Sequence, residues 1–341
     1  MTPVDLRSDT LTLPTPAMRK AMAEAEVGDD VFGEDPTVRL LEEETAAALG
    51  KPGAVFVPSG TMSNQLAIRS HCQSGDEMLV EAQAHIYYYE GGAPAALSGV
   101  MPRCLAGTRG VFTKEEVLGA LRPPDPHFAP TRLVCLENTH NRGGGSIWPL
   151  EGLAAVCALA REKGLATHLD GARIWNATAA TGVGEAVWAS HFDSVSVCFS
   201  KGLGAPIGSA LVGDLAFLQR ARRFRKQFGG GMRQAGILAA GALHGLRHHR
   251  TRLVEDHENA RRLAEGLAEL RGVSLDLSTV RTNMVLFGVV GRAASDVVLA
   301  GKGAGVLVLA TGPSSIRAVT HLGVDRAAID RALELFRRIL D

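Results

Sequence analysis

The chain has 341 residues, which is long enough for one large hydrophobic core and a second, smaller one. Hydrophobic residues make up 46% and charged residues 21%, as is typical of a globular protein, and 36 basic side chains balance 36 acidic ones. With this balance the chain has no net positive charge to attract nucleic acid or an anionic membrane surface, so neither is expected as a partner.

The cysteines and the apolar runs indicate the cellular compartment. The five cysteines form no C-x-x-C pair and several lie in apolar segments, which favours reduced, buried thiols over disulfides or a zinc site. The amino-terminal residues lack the apolar segment of a signal peptide, and no apolar run reaches the ~18 residues of a membrane span. We therefore expect a cytoplasmic protein.

The first fifty residues predict an extended arm followed by two helices. Residues 1–16 are expected to be extended, because prolines oppose a helix there, and a short helix is expected over 18–26. A turn-rich acidic loop over 28–36 follows. Residues 37–49 then predict a helix, because their apolar side chains recur on one face.

Between residues 54 and 213, short apolar strands alternate with helices. The expected strands are 54–58, 78–81, 97–105, 132–137, 165–173, 194–199 and 208–213. The last strand follows its predecessor so closely that it is expected to run antiparallel after a tight return. We predict an α/β fold whose large domain has a mostly parallel seven-stranded sheet flanked by helices.

The rest of the chain predicts two further helices of the large domain and then a smaller α/β unit. The expected elements are helices over 215–227, 232–246 and 251–270, and strands over 273–277, 284–289, 306–309 and 316–320. We predict a large domain with an amino-terminal arm over residues 1–247 and a small C-terminal domain over residues 248–341.

Lys201 differs from the other six lysines in its surroundings. It follows an apolar strand and precedes glycines, whereas the others lie among charged or loop-like neighbours. Desolvation disfavours an ammonium ion, so a lysine at this strand end is expected to be a nucleophilic neutral amine, as Schiff-base chemistry requires. The spacing alone is equally compatible with a lysine that merely ends a strand.

Several polar or small residues follow the ends of predicted strands. Ligands of open α/β sheets bind at the carboxyl ends of the strands, so Gly60, His85, His140, Asp170 and Lys201 are expected to meet in one site. The Ser-Gly-Thr turn around Gly60 precedes a helix and is a candidate phosphate site, although a plain N-cap has the same pattern. The aspartate needs a cation or several donors, because an unpaired buried carboxylate is unfavourable.

Two blocks resemble a known family of enzymes. The run Asp170-Gly171-Ala172-Arg173, followed further along by Ser200-Lys201-Gly202-Leu203-Gly204, resembles the pyridoxal-phosphate enzymes of the aspartate-aminotransferase fold type, fold type I. More narrowly, the chain resembles the low-specificity L-threonine aldolases. The blocks that carry this resemblance span nearly the whole chain and lie at residues 5–10, 27–31, 137–141, 229–234 and 320–322.

The resemblance implies that the large domain binds pyridoxal 5'-phosphate. It implies that Lys201 carries the cofactor as a Schiff base and that His85 stacks on the ring. Asp170 is implied to pair with the pyridine nitrogen and keep it protonated, so that the ring remains an electron sink. The residues implied to hold the phosphate group are Gly60, Thr61 and the Met62 amide, with Arg233 and Lys226 arriving from a neighbouring subunit.

The resemblance also implies a set of substrate-binding residues. Ser8, Arg173 and Arg317 are expected to bind the substrate carboxylate, which the fork of a guanidinium group matches, and Arg173 also borders the cofactor. His127 is expected to flank the substrate hydroxyl group opposite His85, and His140 to support the substrate site. The expected catalytic residues are therefore Lys201, His85, Asp170 and His127, with no metal ion.

The reaction implied by the resemblance is retro-aldol cleavage of L-threonine, L-allo-threonine and related β-hydroxy-α-amino acids to glycine and an aldehyde. The base that takes the hydroxyl proton is His85, His127 or an ordered water. The alternatives are another pyridoxal-phosphate lyase such as a phenylserine aldolase, an aminotransferase-like enzyme, or an inactive cofactor-binding relative. The expected assembly is a homotetramer, a dimer of dimers whose active sites are shared between subunits.

Overall fold

The computed structural model describes residues 2–340, and strands and helices alternate along most of that range. The strands are β1 (Val4–Asp5), β2 (Gly53–Val57), β3 (Glu77–Glu81), β4 (Met101–Leu105), β5 (Thr131–Glu137), β6 (Ala166–Gly171), β7 (Ser194–Cys198), β8 (Ser209–Gly213), β9 (Val273–Ser274), β10 (Met284–Val289), β11 (Val306–Leu307), β12 (Leu309–Ala310) and β13 (Ser315–Val319).

Helices pack against these strands. They are α1 (Pro16–Ala23), α2 (Pro36–Ala48), α3 (Gly60–His71), α4 (His85–Tyr88), α5 (Ala93–Ser98), α6 (Lys114–Ala120), α7 (Leu150–Glu162), α8 (Ile174–Thr181), α9 (Glu185–Ala189), α10 (Leu215–Gln227), α11 (Gly236–His248), α12 (Leu253–Ala268), α13 (Ala294–Ala304) and α14 (Arg326–Leu340). Among these helices, none is both long and apolar enough to span a lipid bilayer.

The large sheet has seven strands in the order β2-β8-β7-β6-β5-β3-β4. Strand β8 runs antiparallel to both of its neighbours, whereas the other pairs are parallel. The central strands are almost continuously buried, because helices cover both faces of a parallel sheet. The prediction of a mostly parallel seven-stranded sheet with an antiparallel return is confirmed.

The register of the parallel strands brings their carboxyl ends to one edge. Glu137 of β5 lies beside Asp170 of β6, and Asp170 lies beside Ser196 of β7. Lys201 follows β7 within a few residues, and Gly60 and His85 open the helices that follow β2 and β3. This edge therefore collects the polar residues that were predicted to meet.

Two local predictions for the large domain differ from the structure. Helix α1 begins at Pro16, because proline at the first helical position loses no intrahelical hydrogen bond, and the Thr15 side chain caps the helix by accepting from the Met18 N–H. The strand predicted over 97–105 is only β4, since α5 occupies the preceding residues between two left-handed glycines.

The C-terminal part of the chain forms a second sheet in the antiparallel order β12-β13-β10-β9, packed against α12, α13 and α14. The run predicted as one strand over 306–309 is divided, because β11 pairs with β1 while β12 joins the second sheet. Val4 and Leu6 of the arm are buried in the hydrophobic core of this unit. The division at residue 247 remains a prediction.

Candidate active site

Asp170 lies at the carboxyl end of β6 and is only 2% exposed. Its Oδ1 accepts from the Ala172 N–H at 3.0 Å, and its Oδ2 accepts from Asn64 Nδ2 at 2.8 Å. Burial alone would raise the pKa of Asp170, but the charges of His85 and Lys201 and these hydrogen bonds outweigh it and lower the pKa. The carboxylate is therefore ionised at neutral pH inside the protein.

His85 begins α4 and is held at both its backbone and its ring. The His85 N–H donates to Glu137 Oε2 at 2.6 Å, and its Nδ1 lies 2.9 Å from Glu90 Oε1. Because a carboxylate only accepts, Nδ1 carries the proton and Nε2 is left for another partner. Burial would lower the pKa of His85, but the bond to Glu90 and the charges of Asp170 and Glu90 raise it.

Glu90 joins this pair into one polar cluster. Its carboxylate also accepts from Asn64 Nδ2 at 2.8 Å and from Gln65 Nε2 at 2.6 Å. The nearest ligand atoms of His85, Glu90 and Asp170 all lie within 4.8 Å of one another. Burial raises the pKa of Glu90, and the bonds from His85, Asn64 and Gln65 oppose that rise. One amide thus bridges two buried carboxylates.

Lys201 is partly buried in the turn that follows β7. Its carbonyl oxygen accepts from Thr12 Oγ1 at 2.9 Å and from the Gly204 N–H at 2.8 Å, which ties the turn to the amino-terminal arm. The turn also needs the left-handed backbone of Gly204, at a φ of +76°. The positive charge of Lys201 acts on both Asp170 and Asp9, so the amine belongs to the cluster.

The amino terminus of α3 faces the same edge and meets β7. A Cβ atom on Gly60 would lie 2.8 Å from Cys198 Sγ, so this close approach requires glycine. The first N–H groups of an α-helix lack intrahelical partners and favour an anion. The Met62 N–H, expected to hold a phosphate group, donates to Ser59 Oγ at 3.1 Å. The amides of Gly60 and Thr61 are the first two of this helix.

Arg173 is buried beside the amino-terminal arm. Its Nε and Nη2 donate to the two oxygens of Asp9 at 2.7 and 2.6 Å. Burial would lower the pKa of Arg173, but the charge and hydrogen bonds of Asp9 raise it. Ser8, the neighbour of Asp9, is partly buried, and its Oγ accepts from the Thr10 N–H at 3.2 Å. The amino-terminal arm therefore places Ser8 next to the ion pair of Arg173 and Asp9.

Arg317 projects from β13 of the second sheet towards the same region. Its Nη1 donates to Asn141 Oδ1 at 2.7 Å, while its buried Nε has no hydrogen-bond partner among the described residues. Burial and the charge of Arg173 both lower the pKa of Arg317, so the two guanidinium groups are neighbours. A cavity of about 170 Å³ lies against Arg317, Asn141 and Tyr89. Arg317 therefore keeps one free donor beside the pair of Arg173 and Asp9.

His140 is buried next to the acidic residues that border the site. It is 1% exposed, its Nε2 lies 3.0 Å from Glu81 Oε2, and its Nδ1 accepts from the Gly143 N–H at 2.9 Å. Burial would lower its pKa, but the charges of Glu137 and Glu81 and the bond to Glu81 raise it. Glu137 in turn holds the amides of His85 and Asn141.

Three predicted residues do not join the cluster within one chain. His127 lies on the loop before β5, at the opposite edge of the sheet, with an 85% exposed side chain and its Nδ1 2.6 Å from Asp125 Oδ1. Arg233 is exposed and its Nη1 donates to Asp29 at 3.0 Å. Lys226 is exposed, and its Cδ lies 3.2 Å from the position that a Cβ atom on Gly231 would occupy.

The sequence analysis missed the residues that hold the cluster together. Asn64, Gln65 and Glu90 are buried, both amides donate to the Glu90 carboxylate, and Asp9 anchors Arg173. A pair of amide side chains in the first turns of a helix that follows a buried strand could have indicated them, since buried polar groups need partners.

Comparisons with known proteins agree with this geometry. Residues 5–289 match the family model of the β-eliminating lyases. The chain is 41% identical over 347 residues to low-specificity L-threonine aldolase 1 of Arabidopsis thaliana, covering 100% of this chain and 97% of the relative. It is 42% identical over 338 residues to the low specificity L-threonine aldolase of Escherichia coli strain K12, covering 99% of both.

Solved structures share the fold. A threonine aldolase from Leishmania major superposes with a TM-score of 0.83 at 21% identity, over 99% of both chains. A serine palmitoyltransferase from Sphingomonas wittichii superposes with a TM-score of 0.74 at 19% identity, over 98% of this chain and 86% of the other.

Proposed function

Because the chain belongs to the β-eliminating lyase family and, within it, to the low-specificity L-threonine aldolases, we propose how its own residues carry out the reaction of that family. The protein is a pyridoxal-phosphate-dependent aldehyde-lyase that cleaves L-threonine and related β-hydroxy-α-amino acids to glycine and an aldehyde. The roles of individual residues given below are the proposal.

The donor set around Lys201 fits pyridoxal 5'-phosphate. Lys201 offers an amine for the aldehyde, the ionised Asp170 an anion for a protonated ring nitrogen, and His85 a flat ring for stacking. Gly60 and Thr61 offer backbone amides for the phosphate group. The observation that carries the assignment is the buried, ionised Asp170 beside His85 and Lys201. When bound, this cofactor supplies the electron sink that accepts the bonding pair as Cα–Cβ breaks.

Arg317, Arg173 and Ser8 are proposed to bind the substrate carboxylate. Arg317 has an unpartnered buried Nε–H, and burial and the nearby positive charge of Arg173 both lower its pKa. A carboxylate would satisfy the free donor and relieve the repulsion between the two guanidinium groups. Asp9 holds the Arg173 fork in place, so this side of the pocket is rigid before the substrate arrives.

His85 is proposed to exchange the hydroxyl proton at its Nε2, directly or through one water. Glu90 holds the proton on Nδ1, which leaves the Nε2 lone pair as the basic position. The lone pair faces away from Glu90, so the substrate hydroxyl and Glu90 bind opposite nitrogens of one ring.

Residues of a second subunit are proposed to complete the site. His127 can flank the substrate hydroxyl group only from another subunit, because within its own chain it lies at the far edge of the sheet. Arg233 and Lys226 are proposed to reach a neighbouring phosphate site. Leu13 and Phe32, each a 73% exposed residue, offer apolar surface for such contacts.

The proposed assembly is a cytoplasmic homotetramer of paired dimers. A cytoplasmic location is supported by the five cysteines, which are all free and of which four are buried.

Replacing Lys201 tests the function most directly. Lys201→Ala is expected to abolish glycine and acetaldehyde formation from L-threonine and to remove the visible absorbance of the lysine-bound cofactor. The measurement couples acetaldehyde to NADH oxidation and records the absorbance spectrum of the same sample. Lys20→Ala, which removes a 73% exposed lysine side chain, is the control and should behave as wild type.

Wild-type turnover by Lys201→Ala would overturn the assignment. In the unmodified enzyme, transfer of the amino group to a 2-oxo acid without aldehyde release would show an aminotransferase instead. Comparing L-threonine, L-allo-threonine and phenylserine as substrates would establish which side chain the enzyme prefers.

A further inference from the structure

A series of hydrogen bonds connects Asp170 to buried side chains in the interior of the protein. Asn64 Nδ2 donates to Asp170 at 2.8 Å, and Asn64 Oδ1 lies 3.1 Å from His168 Nε2. His168 Nδ1 lies 2.9 Å from Ser194 Oγ, and Ser194 Oγ lies 2.8 Å from His71 Nε2. The links cross from α3 through β6 and β7 and return to the last turn of α3.

The direction of every bond in this series can be derived from its active-site end. Asn64 Nδ2 donates to two carboxylates, Asp170 and Glu90, so Asn64 Oδ1 is the acceptor that remains. His168 Nε2 must therefore carry a proton and donate to that oxygen. The Nδ1 atom of His168 then carries no proton and can only accept, so the Ser194 hydroxyl donates to this nitrogen. The Ser194 oxygen in turn accepts from His71 Nε2–H.

Burial keeps both rings uncharged, which these directions require. Burial lowers the pKa of His168 to about 3 and that of His71 to about 4. Each ring is then neutral at neutral pH, with one donor and one acceptor nitrogen, as the derived directions require. His168 is 0% exposed, and the His71 ring stacks on Phe217 with the ring centres 4.5 Å apart.

We propose that His168 is a positioning residue for Asp170: it holds the Asn64 amide with its N–H groups towards the two carboxylates, and Ser194 and His71 hold the tautomer of His168 that this requires. The inference rests on the proposed function, in which Asp170 pairs with the ring nitrogen of the cofactor. Without His168, the Asn64 amide can rotate and turn its oxygen to the carboxylates. That orientation repels both anions and favours a protonated Asp170, which no longer pairs with a protonated ring nitrogen.

The tautomers can be measured on the protein without any substitution. Long-range ¹H–¹⁵N correlation spectra of protein labelled at histidine distinguish the two neutral forms from the charged one. We expect neutral Nε2–H rings for His168 and His71 at pH 6, with spectra of His168→Gln and His71→Gln giving the assignments. An Nδ1–H ring at His168, or a charged one at pH 6, would overturn the proposal even if every variant failed to fold.

Cofactor binding tests the consequence for Asp170. We expect His168→Leu apoenzyme to bind pyridoxal 5'-phosphate about tenfold more weakly than wild type, because it leaves the Asn64 oxygen without its donor. His168→Gln should bind nearly as tightly, since its amide nitrogen can take the place of Nε2–H. Titrations with the 1-deaza analogue, which has carbon in place of the ring nitrogen, should show no difference between His168→Leu and wild type. A purely structural defect would weaken both ligands equally and would overturn the proposal.

Asp170→Asn separates this inference from the proposed function. If Asp170→Asn binds pyridoxal 5'-phosphate as tightly as wild type, the proposed pairing of Asp170 with the ring nitrogen fails. If Asp170→Asn binds weakly while His168→Leu binds normally, the pairing stands and only the role of His168 fails.

Discussion

At the scale of single residues, Glu90 controls the pKa of His85. Its carboxylate accepts from His85 Nδ1, and the resulting bond and charge raise the pKa of the imidazole against the effect of burial. Glu90 is itself buried and bonded to Asn64 and Gln65, so it cannot move away when the ring changes its charge. A histidine on the surface of the chain would lack this control.

Glu90→Gln is therefore expected to lower the pKa of His85. A neutral amide keeps the shape of the side chain but removes the negative charge that favours the charged imidazole. If neutral His85 exchanges the hydroxyl proton, the acidic limb of the profile of kcat/KM against pH should move to lower pH. Glu255→Gln, which removes an exposed carboxylate on α12, is the control and should leave the limb in place. An unchanged limb in Glu90→Gln would show that His85 is not the group that titrates.

At the scale of elements, the approach of α3 to β7 positions the proposed phosphate site. Gly60 lies against Cys198 without room for a Cβ atom, which would come within 2.8 Å of the sulfur. The helix can start this close to the sheet only with glycine at its first position. Its amino terminus then faces the same edge as Asp170 and Lys201.

Gly60→Ala is expected to push α3 away from β7. It should lower the free energy of unfolding by about 1–3 kcal/mol, as overpacking does in a closed core, and should weaken binding of pyridoxal 5'-phosphate. Urea denaturation and cofactor titration measure the two effects. Gly119→Ala on α6, where no atom lies within 4 Å of the new carbon, is the matched control. It should stabilise by about 0.5–1 kcal/mol and leave cofactor binding unchanged.

A double variant shows whether the clash is the cause. Adding Cys198→Ala to Gly60→Ala removes the sulfur that the new carbon would meet, so the pair should lose less stability than the sum of the single variants. Additive losses would mean that Gly60 is required for another reason, such as its backbone conformation.

At the scale of the whole molecule, one chain does not collect all the predicted site residues. His127, Arg233 and Lys226 lie on surfaces of the chain, away from the cluster around Asp170. Shared active sites would explain this distribution.

Mixing two inactive variants tests the sharing. Lys201→Ala and Arg233→Ala, dissociated together and reassembled, should recover up to about one quarter of wild-type activity, because each hybrid dimer has one intact site. Lys201→Ala mixed with Asp170→Asn is the control and should stay inactive, since both residues belong to the same chain's site. No recovery in the first mixture would place Arg233 in its own chain's site or outside the site.

The amino-acid sequence by itself determined the α/β class, the seven strands of the large sheet and the strand-end positions of Lys201, Asp170 and Gly60. Apolar runs, glycines and caps are local signals, and the carboxyl ends of parallel strands meet whatever lies elsewhere in the chain. The resemblance to the aldolases added the cofactor and the reaction, which no local pattern contains.

Only the tertiary structure decided which side chains became partners. The bonds of Asn64 to Asp170, Glu90 and His168 depend on how α3 packs across β6 and the residues after α4. Likewise, the pairing of β1 with β11 joins residues far apart in the chain and places the arm on the second core. Such contacts follow from the packing of distant segments. The hydrophobic pattern of one segment does not indicate which other segment will pack against it.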